Sequence, residues 1–394
     1  MKKIVSLILG VLCIFGANAA QIANIEYVHK MIEHKWDITV PYNPALTNVK
    51  TIANMKYLLT AVDVANEILN GEKTTDYGNG EFATLHAADI IATNQAVETL
   101  VKKIDKGPEF TLTTTPDTKS FEFSISAAGE FVVDWGDGTV ETITKPDTTY
   151  TTYSHNYATA NTYTIGLSGQ ATAYNTSTNT AAISFYNYRD QQSKKIASID
   201  GSLGAIFGTL SSDTNNQPLF VQTFQNASNM TGSIPSDLFA GISGAPASHM
   251  FSGTFSGCSG LTSIPAGLFA GISGAPANRM FASTFYGCSG LTSIPAGLFA
   301  NISGAPANSM FASTFEGCSK LTSIPENLFG NISGTAQSNM FFYTFYNCTS
   351  LTGPSARING KYLYEIWNAD LWATYKGCTG LSDYSSIPYG WLYG

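Results

Sequence analysis

Apolar positions along the chain fall into three successive rhythms. Between residues 21 and 106 they recur at spacings of three and four: Ile22, Ile25, Val28 and Ile32, then Ile52, Met55, Leu59, Val62 and Leu69, then Ile90, Val97, Val101 and Ile104. That rhythm predicts helices, and Asn66 and Asn94 sit on the last two stripes at seam positions. The pattern predicts an antiparallel helical hairpin joined through 71–82, since each seam is only about three heptads; the alternative is an oligomerising seam in which a buried Asn fixes register. Lys106-Gly107-Pro108 closes the region. From 109 to 188 the period changes to two: Phe121-Glu-Phe-Ser-Ile-Ser alternates, Phe131-Val-Val-Asp-Trp135 runs into Gly136-Asp137-Gly138, and Thr162-Tyr-Thr-Ile-Gly-Leu167 alternates again. Strands broken by an Asp-Gly turn predict a small β-sandwich over 109–188.

The third rhythm is the dominant one. From residue 189 to the end the chain repeats itself. Leu261, Leu291, Leu321, Leu351 and Leu381 lie thirty residues apart, as do Cys258, Cys288, Cys318, Cys348 and Cys378. Ile234, Ile264, Ile294 and Ile324 are each followed by Pro, and Ile196–Ile199 reads as a first, worn copy. Within one copy, Leu291 to Ile294 predicts a short strand ended by Pro295. Leu298, Phe299 and Ile302 predict one helical turn. Pro306 and Gly317 bracket a longer helix with Met310, Thr314 and Cys318 on one face at spacing four. One copy cannot bury its own apolar side chains, so copies must stack. Strands about 4.8 Å apart backed by helices about 8–10 Å apart would curve such a stack, with the strands on the concave face. The expected fold class is therefore multidomain: a short α-helical N-terminal region, a β-sandwich, and an α/β solenoid. The solenoid spans 189–394, and a C-terminal cap starts at about 352, where the pattern drifts.

Two resemblances accompany this. Asp134-Trp135-Gly136-Asp137-Gly138 and His155-Asn156-Tyr157 resemble the polycystic-kidney-disease (PKD) type domain. That likeness implies an extracellular spacer or binding module in which these residues are structural. Thr284-Phe285-Tyr-Gly-Cys288-Ser-Gly-Leu291-Thr-Ser-Ile294-Pro295 resembles the BspA-like leucine-rich repeats of bacterial surface proteins. This second likeness implies leucine-rich-repeat coils on an exported protein that binds host proteins, matrix or other cells. The period here is longer than that family's, and Pro follows Ile directly.

Residues 1–20 read as a secretory signal peptide: Lys2 and Lys3, an apolar run from Ile4 to Phe15, and Ala17-Asn18-Ala19 before the cut. No later stretch has eighteen unbroken apolar residues, so no transmembrane segment is expected after cleavage. The expected location is secreted or at the cell surface.

Charge and chemistry narrow the function. A formal net charge of −8 and a charged fraction of 12% disfavour nucleic acid as a partner. One Cys per copy matches neither clustered zinc spacing nor a disulfide framework, so Cys258, Cys288, Cys318, Cys348 and Cys378 are expected as buried free thiols of the repeat core. The five His residues are scattered, no phosphate-cradling loop appears, and Asp134 and Asp137 read as turn residues rather than a Ca²⁺ site. No catalytic residue, metal or cofactor is expected, and the chain reads as a non-enzyme. Thr262, Thr292, Thr322 and Thr352 are expected as a polar ladder on the exposed side of the strands, a binding face or simply solvated strand residues. From 201 to 350 the charged residues are Asp213, Asp237, Arg279, Glu316, Lys320 and Glu326, a near-neutral surface. It suits adhesion to a protein or glycan ligand. The alternative is a structural component of an envelope or secreted assembly that polymerises through the helical region.

Overall fold

The computed structural model describes residues 108–187, 192–210, 217–367 and 373–393. The predicted signal peptide and helical region, with their seams, lie outside the described residues. Glu109–Gly394 forms one compact unit.

Its first part is antiparallel. β1 (Phe110–Thr114), β3 (Ala128–Asp134), β4 (Val140–Lys145), β6 (Thr164–Ala173) and β8 (Ile196–Gly201) form a five-stranded sheet in the order β4-β3-β6-β1-β8. β2 (Thr118–Ile125), β5 (Thr151–Asn161) and β7 (Ile183–Ser184) form a three-stranded sheet in the order β5-β2-β7. Alternation makes these strands one-sided: β1 buries Phe110, Leu112 and Thr114 and leaves Thr111 and Thr113 partly exposed. Rings from the two sheets meet between them, Phe123 5.6 Å from Trp135 and Phe110 stacked 5.8 Å from Phe185. Asp137-Gly138 lies in the link between β3 and β4, closed by the Trp135 amide donating to the Thr139 carbonyl at 2.9 Å.

Both sheets continue into the repeats. On the five-stranded sheet, edge strand β8 pairs with β1 on one side, and on the other its Ala197 carbonyl accepts from the Thr231 amide at 3.1 Å. Beside β7, the Ala182 and Phe185 amides donate to the Leu219 and Thr223 carbonyls at 2.7 and 2.9 Å. Backbone bonds thus cross the expected boundary near residue 188. The aromatic core crosses it as well. Phe185 stacks on Phe224 at 5.3 Å, and the column runs on through Phe255, Phe285, Phe315, Phe345 and Tyr375 to Trp391 at ring spacings of 5.5–6.0 Å. A parallel column runs Phe220, Phe251, Phe281, Phe311, Phe341.

The expected α/β leucine-rich-repeat solenoid is overturned. Regular structure here is mostly strands in small, chiefly antiparallel sheets. The α-helices among the described residues are four-residue pieces: α1 (Leu203–Ile206), α2 (Leu363–Ile366) and α3 (Tyr389–Leu392). No thirty-residue copy between 231 and 350 contains one.

The segment read as the longer helix, 306–317, is a ribbon of overlapping turns. In it, alternate amides bond within the copy three residues back, as from Ala312 to Ser309, Thr314 to Phe311 and Cys318 to Phe315. The amides between them donate to the next copy, Phe311 to Met340, Ser313 to Phe342, Phe315 to Thr344 and Gly317 to Tyr346, at 2.7–3.0 Å. Every fourth residue has positive φ: Ser309 at 52°, Ser313 at 54° and Gly317 at 72°. No right-handed helix accepts that conformation. Met310, Thr314 and Cys318 do share a buried side, because the turn unit itself repeats every four residues.

Strands in the repeats are equally slight. β9 (Gly232–Ser233) pairs in parallel with β10 (Leu261–Ser263), and β11 (Ser303–Gly304) with β12 (Asn331–Ile332). The wedge argument for curvature falls with the helices, since backbone bonds to the next copy occur on both sides of the stack. At the C-terminal end, the Ala373 and Tyr375 amides donate to Gly390 and Trp391 in α3, both at 2.9 Å.

Candidate binding surface

The four threonines point outward as the Leu–Thr alternation predicts, although of the four only Thr262 lies in a strand, Leu261–Ser263. Leu261 points inward and Thr262 outward, and the same holds one copy on at Leu291 and Thr292. Thr262, Thr292, Thr322 and Thr352 are all exposed. Each hydroxyl donates to a carbonyl one copy back: Thr262 to Gly232 at 3.1 Å, Thr292 to Thr262 at 3.4 Å, Thr322 to Thr292 at 3.2 Å and Thr352 to Thr322 at 3.1 Å. The amides of Thr292, Thr322 and Thr352 donate to the same carbonyls. The Oγ1 protons are therefore engaged along the stack while the oxygen lone pairs remain available. The structure brings the four residues into one ladder whose outward chemistry is hydrogen-bond accepting.

The five cysteines sit inside. Cys258, Cys288, Cys318, Cys348 and Cys378 are free and buried. Their Sγ–H groups donate to the carbonyls of Phe224, Phe255, Phe285, Phe315 and Phe345 at 2.9–3.1 Å. Burial pushes every one of these thiols up, those of Cys288 and Cys378 to about 12. A thiol that stays protonated is neither nucleophile nor metal ligand. Buried Thr254, Thr284 and Thr314 form a second interior column. Thr284 Oγ1 donates to the carbonyls of Phe251 at 2.9 Å and Phe281 at 2.8 Å.

Around the Asp-Gly turn, His155 Nε2 lies 2.7 Å from Asp137 Oδ2 and its ring stacks 5.1 Å from Trp135. The Tyr157 hydroxyl donates to the Trp135 carbonyl at 2.9 Å. Burial opposes ionisation of Asp137, but hydrogen bonds from His155 and the Thr139 amide outweigh it and hold the carboxyl below its usual range. Asp134 accepts from the Gly136 amide at 3.0 Å. These carboxylates shape a turn. Among the described residues no three His, Cys, Asp or Glu side chains cluster as metal ligands would.

No family model, curated protein or solved structure matches this chain.

Two further features were not legible as sites in the sequence. A cleft of about 380 Å³ lies where the sheets meet the first copies, lined by Tyr186, Asn187, Ser193, Lys194, Asn226, Ser228 and Gly257. Its lining comes from four separated segments, so no motif marks it. The other is the outer side of the turn ribbon. There Ser313 and Tyr346 are half-buried and Tyr286 is exposed. Burial raises the Glu316 carboxyl above its usual range, against a hydrogen bond with Ser313. A helix over 306–317 would direct other side chains outward, so the helix-like spacing conceals this face. Comparing copies position by position is the signal that could have found it.

Proposed function

We propose that the protein is an exported binding protein, displayed at a cell surface or secreted, that engages a protein or glycan ligand through the repeat array. The carrying observation is the Thr262, Thr292, Thr322, Thr352 ladder, four exposed hydroxyls at one fixed spacing on a surface with few charges. Such a face contributes many equivalent acceptors and little electrostatic steering, which favours neutral, hydroxyl- or amide-rich partners over polyions. The continuous aromatic core gives that face a rigid backing, and rigidity lowers the entropy cost of binding. The signal-peptide pattern of residues 1–20 and the two family resemblances agree with export and with contact outside the cell. Nothing in the buried thiols or the turn carboxylates asks for catalysis.

The test is a screen of the labelled full chain against immobilised glycans and extracellular-matrix proteins, alongside a Thr292→Arg/Thr322→Arg double variant. Binding to one class, weakened at least ten-fold in the variant, supports this function. Absence of binding to every class overturns it.

A second reading rests on Asn66 and Asn94 at seam positions of the predicted helices: a structural component that assembles through that region. Sedimentation of the full chain tests it. A concentration-dependent oligomer supports assembly, and a monomer across the micromolar range removes it.

A further inference from the structure

The cleft of about 380 Å³ where the sheets meet the first copies is bordered by polar side chains that the fold leaves unused. Beside β7 the interior hydroxyls are satisfied: Thr223 Oγ1 donates to the Ile183 carbonyl at 3.0 Å, and Ser126 Oγ to the Ala181 carbonyl at 2.7 Å. At the cleft the pattern breaks. Ser193 is 0% exposed, and its Oγ has no hydrogen-bond partner. Gln192, its neighbour in the single 3₁₀ turn Gln192–Lys195, is also buried with Oε1 unpartnered. Leaving buried polar atoms unpaired destabilises a fold, and their grouping beside one cavity points to a partner that enters it.

The rest of the lining carries the same signature. Among the described residues, the side chains of Tyr186, Lys194, Asn226 and Ser228 make no hydrogen bond, ion pair or ring contact. Tyr186 and Ser228 are half-buried, and Lys194 and Asn226 are exposed. Lys195 is committed elsewhere, its Nζ donating to the Ser120 carbonyl at 2.8 Å, so Lys194 is the cation of the cleft. Gly257, at φ 75°, keeps the Asn226 amide uncovered, because a Cβ there would collide with Asn226 Oδ1.

From this set we infer that the cleft binds one acidic sugar unit, a uronate or sialate. Its carboxylate pairs with Lys194, its hydroxyls with Ser193, Ser228 and the Asn226 amide, and its C–H face with the Tyr186 ring. The volume falls within the range of small-ligand sites. An apolar ligand would strand every one of these polar groups. A divalent cation would find no carboxylate or imidazole in the lining. A polyanion would meet a single ammonium and, at the border, the Glu122 carboxylate that accepts from the Asn187 amide. The site stands independently of the threonine ladder, whose surface suits neutral partners.

The test is isothermal titration calorimetry of the full chain with D-glucuronate, D-galacturonate and N-acetylneuraminate, with D-glucose and inorganic phosphate as separate arms. Two variants probe the cleft and keep the fold. Lys194→Met changes an exposed side chain, and Ser193→Ala removes a hydroxyl that no protein group uses. The expected result is saturable binding of at least one acidic sugar, weakened about ten-fold in Lys194→Met and about three-fold in Ser193→Ala. The unfolding midpoint of Ser193→Ala should be unchanged or raised, and Thr292→Arg/Thr322→Arg should bind the acidic sugar as the parent does. Binding of no acidic sugar at millimolar concentration overturns the site. Glucose or phosphate binding as tightly as the acidic sugars also overturns it, as does acidic-sugar binding that survives unchanged in Ser193→Ala. Binding lost in Thr292→Arg/Thr322→Arg and kept in both cleft variants overturns it too, and places the sugar on the ladder.

Discussion

Ser283 decides between a helix and a ribbon of turns by the sign of one energy difference. It is half-buried, its φ is 55°, its amide donates to the Ala312 carbonyl at 2.8 Å, and its own carbonyl accepts from the Tyr286 amide at 3.1 Å. No side-chain hydrogen bond complicates a substitution to Ala or Gly. In a helix, Ala is better than Gly by about 1 kcal/mol. In a left-handed turn the Cβ is the problem, and Gly is better than any L-residue by roughly 1–2 kcal/mol. The two structures therefore differ by about 2–3 kcal/mol in the Ala-to-Gly comparison at this site, and they differ in sign. The assay is urea unfolding of Ser283→Gly and Ser283→Ala in the full chain, read from midpoints at constant slope. Gly should unfold at higher urea than Ser, and Ala at lower urea than Gly. Ala more stable than Gly would refute the turn assignment, and with it the account of why Met310, Thr314 and Cys318 line up.

Other expectations follow from named contacts. Phe285→Ala removes a 0% exposed ring stacked 5.6 Å from both Phe255 and Phe315, and should cost about 3–5 kcal/mol by chemical denaturation; a loss under about 1 kcal/mol would mean the column is not close-packed. Thr284→Val removes one of several donors to the buried Phe251 and Phe281 carbonyls, which keep the Thr254 and Thr314 hydroxyls, and should cost about 0.5–1.5 kcal/mol, whereas Thr292→Val on the exposed ladder should cost less; a larger loss from Thr292→Val would contradict the division into inner and outer threonines. The thiols should resist a thiol-specific reagent in the native state and react fully in denaturant. Because burial raises their pKa when folded, their contribution to stability is complete below about pH 8.5, the unfolded value, and declines as pH rises from there towards about 12; a stability flat across pH 8–11 would argue against their burial.

Period, burial and structure relate unevenly in this chain. The thirty-residue recurrence identified the side chains that must be inside, because burial demands the same large residue at the same place in every copy: Phe285, Cys288 and Leu291 repeat for that reason. Element type was not legible in the same way. A turn ribbon with a four-residue unit and a helix with 3.6 residues per turn place positions i and i+4 alike over two turns, so Met310, Thr314 and Cys318 fit either. The deciding sign was positive φ at Ser309 and Ser313, and serine does not announce it as glycine would. Leu–Thr alternation made the outward placement of Thr262 and Thr292 visible, and with it the exposed ladder, although of these two only Thr262 lies in a strand and the one expected over Leu291 to Ile294 does not form. That the ladder hydroxyls donate into the stack was not visible, since it depends on the carbonyl of a residue thirty positions away. The same holds for the join between sheets and repeats. Ile196–Ile199 resembles a worn repeat because it is one neighbour of Thr231, and it alternates because it is also an edge strand paired with β1.

The amide of Phe285 offers the most direct test of the whole arrangement. In the structure it donates at 2.9 Å to the Thr314 carbonyl, one copy away, whereas a helix would direct it to the carbonyl of Phe281. Scalar coupling across the hydrogen bond, measured by NMR on deuterated, isotopically labelled protein, distinguishes the two acceptors. A coupling from Phe285 nitrogen to the carbonyl carbon of Thr314, with none to Phe281, is the result predicted. A coupling to Phe281 and none to Thr314 would contradict the stacked ribbon.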